Sequence, residues 1–177
     1  AGRLREAQDL CQSTRVLYIT NGKPYLKDYQ DLHFNVAHSR GMFVIALSTS
    51  GEVGVDIEAR KRSIDPDKLS SFLLSSKERE RMEQLPENRR RGLITHWVLK
   101  ESVAKALGTG LSEPVDELEI EFIDGDPVIQ KVWSWVNPHD WSLKQLNISD
   151  EHDCAVTFRT GSLNNSISNV VKIKELK

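Results

Sequence analysis

Residues Val53–Glu58 have the sequence VGVDIE, in which apolar and acidic positions alternate. Successive side chains of a β-strand point to opposite faces, so Asp56 and Glu58 leave one face while Val55 and Ile57 leave the other. Two carboxylates above an otherwise buried strand repel each other unless a cation neutralises them, and their hard oxygen atoms suit Mg²⁺. A solvated strand face is the more usual explanation of a single Asp-x-Glu pair, so the strand by itself leaves both interpretations open.

The segment 88–107 has the pattern of a long amphipathic helix, and Gly108 is a suitable residue to end it. Glu101 and Lys105 are four residues apart and therefore share one face of this helix with Trp97. On a solvated surface such an ion pair contributes only about 0.3–0.5 kcal/mol. Because Trp97 borders the same side, we expect the pair to line a cleft beside the core. A third carboxylate and a lysine are what a metal-bound diphosphate requires.

Strands, helices and strands again follow one another along the chain, which predicts the α+β fold class. Ser75 and Glu78 have capping-box spacing and predict a short helix, and Asp65 and Pro66 suit the cap and the first turn of another. Residues 124–125, Asp-Gly, predict a hairpin turn. A further helix is predicted at 3–12. The predicted strands lie at about residues 16–20, 34–38, 42–47, 53–58, 118–123, 128–135, 141–146, 154–159 and 170–173.

The composition is that of a globular chain with little net charge. Of 177 residues, 38% are hydrophobic, and 24 Lys and Arg against 26 Asp and Glu give a formal charge of -2. This suits one domain or two small packed halves, and no basic field is present to attract nucleic acid as a partner. Cys11 and Cys154 have neither metal-ligand nor disulfide-ladder spacing. Without a membrane-spanning stretch or a signal-peptide pattern, the expected location is the cytoplasm, with no membrane partner.

Four ordered motifs resemble the 4'-phosphopantetheinyl transferases of the surfactin-synthetase-activating type. They are GKP at 22–24, FNVAHS at 34–39, GVDIE at 54–58, and WVLKESVAK at 97–105 followed by GTGL at 108–111. The acidic pair is a weak signal by itself, but four motifs in this order and at similar spacing form a strong combination. The similarity covers the amino end to about residue 111 with motifs and the later strands more loosely.

The resemblance implies an enzyme with two pseudo-symmetric α+β halves, here residues 1–58 and 59–177, and a ligand crevice between them. It also implies a shortened amino-terminal half, because the family carries a further strand before the helix predicted at 3–12. The implied reaction transfers the 4'-phosphopantetheine arm of coenzyme A to a serine of an acyl or peptidyl carrier protein. Adenosine 3',5'-bisphosphate is the implied leaving product.

Matching the motifs residue by residue implies a role for each polar side chain. Asp56, Glu58 and Glu101 would hold Mg²⁺ at the diphosphate. Lys105 would add a fixed positive charge at the same place. The positions that contact the nucleotide end of coenzyme A or its phosphates correspond to Lys23, His38 and Arg3.

The transfer requires a base for the serine hydroxyl, and two carboxylates are candidates. Glu101 is one, directly or through a metal-bound water, although a carboxylate that binds Mg²⁺ is a poorer base. Glu78 matches an acidic position near the family's catalytic centre, but its capping-box spacing offers a structural explanation of equal weight. The sequence leaves this choice open.

Two other functions use the same residues. A metal-dependent phosphodiester hydrolase needs the same carboxylates, and a non-catalytic binding module for an acidic partner needs only the surface.

The carrier protein is acidic by family expectation, and the basic run 60–62 with Leu69, Phe72 and Leu73 is a candidate docking surface, although the same leucines also suit a core. The arginines at 89–91 are interpreted as a solvated helix face rather than a nucleic-acid site.

Overall fold

The computed structural model describes residues 15–19, 21–160 and 170–174. Its helices are α1, Pro66–Leu73; α2, Ser76–Glu83; and α3, Arg89–Leu107. Its strands are β1, Val16–Tyr18; β2, Pro24–Leu26; β3, His33–Ser39; β4, Met42–Ser48; β5, Val53–Ala59; β6, Glu119–Ile123; β7, Asp126–Lys131; β8, Trp141–Leu146; β9, His152–Arg159; and β10, Val170–Lys174. These elements confirm the predicted α+β class. Arg3 and the helix predicted at 3–12 lie outside the described residues.

The strands described here form two three-stranded antiparallel sheets, in the orders β10-β4-β3 and β5-β9-β8, and two hairpins, β1-β2 and β6-β7. β3 and β5 lie side by side although they belong to different sheets. We call this boundary between β3 and β5 the seam. On its other edge β5 pairs with β9, where Asp56 is opposite Ala155 and Glu58 is opposite Asp153. Asp56 and Glu58 thus lie on the strand that borders the seam. The division of the chain into halves after residue 58 stays a prediction.

The two faces of β5 contact different parts of the molecule. Val53, Val55 and Ile57 join an apolar cluster with residues of β3, β4 and β9. Helix α3 packs over the other face, which carries Asp56 and Glu58. The alternation of apolar and acidic residues therefore has the predicted result, with the carboxylates placed between a strand and a helix. None of the helices in the described part of the chain has the length and hydropathy of a membrane-spanning segment.

Helix α3 lies directly against the backbone of β5 at Gly54. A Cβ atom on Gly54 would stand 2.2 Å from the carbonyl oxygen of Ser102 and 2.3 Å from the backbone nitrogen of Ala106. A buried hydrogen bond of 2.7 Å between Ser102 Oγ and Thr157 Oγ1 joins the same helix to β9. Because no side chain fits at position 54, the helix approaches the strand closely enough for their charged side chains to meet.

Local sequence signals set the ends of the helices, as predicted. The Asp65 side chain caps the start of α1, and Ser75 and Glu78 form both hydrogen bonds of the capping box at the start of α2. Gly108 has φ 71°, the left-handed conformation that commonly ends a helix. The predicted hairpin turn at 124–125 joins β6 to β7, and both of its residues have positive φ. These confirmed signals are all local in the sequence.

Two predicted boundaries differ from the structure. β2 begins at Pro24, where the sequence predicts only a turn, because the first residue of a short strand requires no ladder N–H. β7 ends at Lys131, so the strand predicted beyond it is wrong. There Trp133 enters the core, and its indole Nε1 donates a hydrogen bond of 3.0 Å to the carbonyl oxygen of Pro114.

Candidate active site

Strand β5 and helix α3 bring Asp56 and Lys105 into direct contact. Lys105 Nζ donates a hydrogen bond of 2.6 Å to Asp56 Oδ1. The other carboxylate oxygen, Oδ2, is buried and has no hydrogen-bond partner within the described residues. Burial raises the pKa of Asp56 to about 6; Lys105 opposes this rise, and the carboxylates of Glu101 and Glu58 add to it. Asp56 is therefore a buried acidic group whose charge is incompletely neutralised.

Both oxygen atoms of Glu58 are held by other side chains. Ser39 Oγ donates a hydrogen bond of 3.1 Å to Oε2, and Arg62 Nη1 donates to Oε1. The Arg62 guanidinium also lies 5.3 Å from the centre of the Trp97 ring, which is a cation–π arrangement. Glu58 is thus held between the end of β3 and the loop that follows β5.

Glu101 lies one helical turn before Lys105 on the same face of α3. Burial raises the pKa of the Glu101 carboxyl above its ordinary value; Lys105 and Arg62 oppose this rise, and Glu58 adds to it. In the part of the chain that the structure describes, the Glu101 carboxylate accepts no hydrogen bond. A partly buried carboxylate with a raised pKa and free acceptor positions is suited to receiving a proton.

Asp56, Glu58 and Glu101 interact electrostatically across the gap between β5 and α3. Among the described residues, however, no three His, Cys, Asp or Glu side chains are gathered as ligands of one metal ion. The carboxylates are instead paired with basic side chains, Asp56 with Lys105 and Glu58 with Arg62. The donor chemistry nevertheless fits a hard cation, because the buried Asp56 Oδ2 is without the partner that buried polar atoms almost always have.

Glu78 lies on α2, among buried groups that pack against another face of α3. Its side chain is fully buried, and Oε2 accepts hydrogen bonds from Lys100 Nζ at 2.6 Å and from Ser75 N at 2.7 Å. Oε1 accepts from Ile120 N at 2.9 Å. The same lysine ammonium donates to two backbone carbonyl groups. These contacts favour the structural explanation of the capping-box spacing, and a catalytic role for Glu78 stays a prediction.

Lys23 and His38, which the motifs assign to coenzyme A, make other contacts in this structure. Lys23 Nζ donates a hydrogen bond of 2.5 Å to the carbonyl oxygen of Ala106 and forms an ion pair with Glu52, and burial lowers the pKa of Lys23. His38 is exposed and stacks on Phe43, with ring centroids 5.1 Å apart. Their roles at coenzyme A stay predictions.

A cavity of about 320 Å³ adjoins Glu58 and Arg62. Phe72 and Trp97 line it, with ring centroids 6.5 Å apart, and give it apolar walls. Phe72 is 50% exposed, whereas Leu73, which the sequence offers as either a docking or a core residue, is buried. The candidate docking surface therefore does not include Leu73.

Ser39 and Arg62 both contact Glu58, and the sequence motifs assign neither residue a role there. Strand alternation could have indicated the face on which Ser39 lies, because it places Ser39 on the same face as Asn35 and on the face opposite to His38. Arg62 follows Glu58 by four residues, but β5 ends between them, so no single periodicity predicts that the side chain returns to the carboxylate.

The acidic strand packs against a helix that carries glutamate and lysine, and comparison with known proteins identifies the family of this chain. The model of the 4'-phosphopantetheinyl transferase superfamily matches residues 52–157, more than half of the chain. The chain therefore belongs to the 4'-phosphopantetheinyl transferase superfamily, which confirms the resemblance of its motifs. The matched segment contains the acidic strand and helix α3.

Individual relatives agree with this assignment. The 4'-phosphopantetheinyl transferase HetI of Nostoc sp. is 28% identical over 123 residues, which are 67% of this chain and 52% of that protein. The 4'-phosphopantetheinyl transferase Sfp of Bacillus subtilis is 32% identical over 99 residues, which are 56% of this chain and 43% of that protein. The chain thus spans about half the length of the curated relatives it matches.

A solved structure supports the fold. The crystal structure of Thermotoga maritima holo-(acyl-carrier-protein) synthase aligns with a TM-score of 0.51 at 21% identity. The alignment covers 70% of this chain and 82% of that chain. The likeness therefore extends well beyond the strand and helix that carry the candidate site.

Proposed function

We propose that this chain transfers the 4'-phosphopantetheine arm of coenzyme A to a serine of an acyl or peptidyl carrier protein, with Mg²⁺ as the metal ion. The serine oxygen forms a bond to the phosphorus that carries the arm, and the diphosphate P–O bond breaks. Adenosine 3',5'-bisphosphate leaves, and the serine proton passes to a base. Membership of the superfamily supports this reaction class, which the names of HetI and Sfp state for those proteins.

The observation that carries the proposal is the buried Asp56 Oδ2, which lacks a hydrogen-bond partner within the described residues and lies near two further carboxylates. Burial disfavours the charged form of such a group unless a cation joins it. Asp56, Glu58 and Glu101 would hold Mg²⁺ here, and the bound ion would neutralise charge on the diphosphate and the leaving group.

Lys105 supplies positive charge from the protein itself. Its ammonium is bonded to Asp56, and its side chain is 28% exposed, so a phosphate oxygen has access to it. An ammonium has three hydrogens, and Lys105 can therefore bind a diphosphate oxygen while it keeps its bond to Asp56. This arrangement would hold the diphosphate next to the acidic strand and orient it for attack.

We place the base at Glu101. In the metal-free protein the pKa of its carboxyl is raised, and its oxygen atoms are free of hydrogen bonds within the described part of the chain, so one oxygen can bind Mg²⁺ while the other receives a proton. Glu78 is less suited, because its side chain is fully buried and its oxygen atoms already accept three hydrogen bonds. Glu101 would accept the serine proton directly or through a water molecule.

The carrier protein would approach over the cavity beside Glu58. Exposed Phe72 offers apolar contact there, and Lys68 and Arg62 on the same wall offer positive charge to an acidic partner. Opposite charges across an interface mainly accelerate encounter and fix the register of the partners. The carrier serine would thus be delivered beside Glu58 and the other carboxylates.

The test is incubation of the full chain with coenzyme A, Mg²⁺ and a panel of apo carrier proteins, followed by intact-mass spectrometry of the carriers. We expect the mass of one phosphopantetheine arm to be added, and no addition with Asp56→Ala or after chelation of the metal. Release of free phosphopantetheine without carrier labelling would instead favour a phosphodiester hydrolase. Carrier binding by a chain without affinity for coenzyme A would favour a non-catalytic binding module.

A further inference from the structure

Side chains bridge the seam between β3 and β5 in place of a backbone ladder. Asn35 Oδ1 accepts a hydrogen bond of 3.0 Å from Val55 N, and Ser39 Oγ accepts one of 3.1 Å from Ala59 N. Asn35 and Ser39 are four residues apart on β3 and therefore share the face toward β5. Each supplies the acceptor that a carbonyl group would supply in a continuous sheet.

Ser39 makes a second contact that Asn35 does not share. Ser39 Oγ lies 3.1 Å from Glu58 Oε2. A hydroxyl carries one hydrogen and a carboxylate can only accept, so the hydroxyl hydrogen of Ser39 is donated to Glu58 while a lone pair receives the Ala59 N–H. The bond to Glu58 is charge-assisted, which makes it stronger than the neutral bond made by Asn35.

Neighbouring strands fix the position of Ser39. It pairs with Met42 at the closed end of the β3-β4 hairpin. Its carbonyl oxygen accepts a hydrogen bond of 3.2 Å from Nε2 of the buried His152 on β9. Because a carbonyl can only accept, that nitrogen carries the hydrogen, and Nδ1 of the same ring lies 3.1 Å from Ser149 Oγ. The hydroxyl therefore reaches Glu58 from a rigid support.

From this geometry we propose that Ser39 is a positioning residue that fixes the Glu58 carboxylate through Oε2 and leaves Oε1 as the oxygen available to a cation. The inference rests on the proposed function, because it takes Glu58 as a ligand of Mg²⁺. Oε1 accepts from Arg62 in this structure, but the Arg62 side chain is 44% exposed and can turn into solvent when a cation enters. Hydrogen-bond partners of metal ligands typically contribute about 10–100-fold in metal affinity.

Binding of Mn²⁺ to the full chain, measured by electron paramagnetic resonance with Mg²⁺ as competitor, tests this role. Ser39→Ala removes the donor, Ser39→Cys fills the position with a slightly larger group that is a much weaker donor, and Ser39→Thr keeps a hydroxyl. Asn35→Ala is the matched control, because it removes the other seam bond without touching Glu58. Urea unfolding without metal measures the stability of each variant independently.

We expect the Kd for Mn²⁺ to rise about tenfold in Ser39→Ala and Ser39→Cys. It should stay within about twofold of wild type in Ser39→Thr and Asn35→Ala, although Asn35→Ala loses stability because Val55 N loses its partner. Wild-type affinity in Ser39→Ala and Ser39→Cys would overturn the proposal and leave the metal site standing. Equal weakening in Asn35→Ala would also overturn it, because the seam and not the hydroxyl would then control binding. A wild-type chain that binds no Mn²⁺ at millimolar concentration would overturn the metal site of the proposed function and the role of Ser39 with it.

Discussion

Helix α3 supplies the lysine of two lysine–carboxylate pairs, Lys100 with Glu78 of α2 and Lys105 with Asp56 of β5. The surroundings of the two pairs differ. Lys100 and Glu78 are both 0% exposed, and both oxygen atoms of Glu78 are hydrogen-bonded. Lys105 is 28% exposed and Asp56 is 9% exposed, and Asp56 Oδ2 has no hydrogen-bond partner among the described residues. We call the Lys100–Glu78 pair complete, because every carboxylate oxygen in it is hydrogen-bonded. The Lys105–Asp56 pair is incomplete, because one carboxylate oxygen has no partner among the described residues. Burial of an ion pair therefore does not mark a site by itself, whereas an unsatisfied buried oxygen requires an explanation, for which we propose a bound cation.

Breaking the complete pair should have the largest effect. Lys100→Met leaves the Glu78 carboxylate buried without its cation, which typically lowers the free energy of unfolding by about 3–5 kcal/mol. Urea unfolding measures the loss. The double variant Lys100→Met/Glu78→Gln is the control and should recover a large part of it, because no uncompensated charge remains. A loss below about 1 kcal/mol in the single variant would show that the pair is not the structural element described here.

Removing the carboxylate of the incomplete pair should affect turnover rather than folding. Asp56→Ala is expected to slow carrier labelling by at least about 100-fold, equivalent to about 2.7 kcal/mol of activation free energy, while circular dichroism shows an intact fold. Glu121→Ala, which removes a partly exposed carboxylate of β6 that pairs with Arg81, serves as the control and should label normally. Wild-type rates in Asp56→Ala would refute the assignment of Asp56 as a metal ligand.

Neutralising Asp56 with little change of shape should stabilise the metal-free protein above pH 6. The pKa of about 6 in the folded state exceeds the ordinary 3.8, so the folded state binds more protons between these values. Stability therefore falls as pH rises from about 4 to 6 and stays lower above that range. Asp56→Asn lacks this titration, and we expect its free energy of unfolding to exceed wild type by about 1–3 kcal/mol at pH 7.5.

The pH dependence of the free energy of unfolding distinguishes the titration of Asp56 from a general packing effect of the substitution. Urea unfolding of both proteins in a chelator at several pH values should show the advantage of Asp56→Asn shrinking as pH approaches 4. A difference that is constant with pH would mean that the titration of Asp56 is not its source.

Removing the cation of the incomplete pair should have the smallest effect. Lys105→Ala is expected to weaken coenzyme A binding about tenfold, or about 1.4 kcal/mol, with less change in carrier binding. Calorimetric titration of each ligand gives the comparison, and Lys144→Ala on the exposed side of β8 is the control. Weaker carrier binding with unchanged coenzyme A binding would contradict the position of Lys105 at the diphosphate.

The sequence predicts those parts of the site that follow from one element at a time. Alternation in Val53–Glu58 indicates which carboxylates share a face, and four-residue spacing indicates that Glu101 and Lys105 share another. The environment of Lys100 is not predictable in this way, because its partners come from α1, α2 and the turn before β6. Ser39 and Arg62 reach the site through the seam and a loop. Strand alternation indicates only the face on which Ser39 lies, and no local pattern predicts that either residue contacts Glu58.

The close approach at Gly54 also bears on engineering. Main-chain atoms of the strand and helix set the width of the gap there, so the width does not depend on which side chains flank it. The charged residues beside the gap can therefore be substituted together while the distance between strand and helix is kept. They are Asp56, Glu58, Glu101 and Lys105. Histidines at these positions would redesign the chain toward transition metals that prefer imidazole ligands.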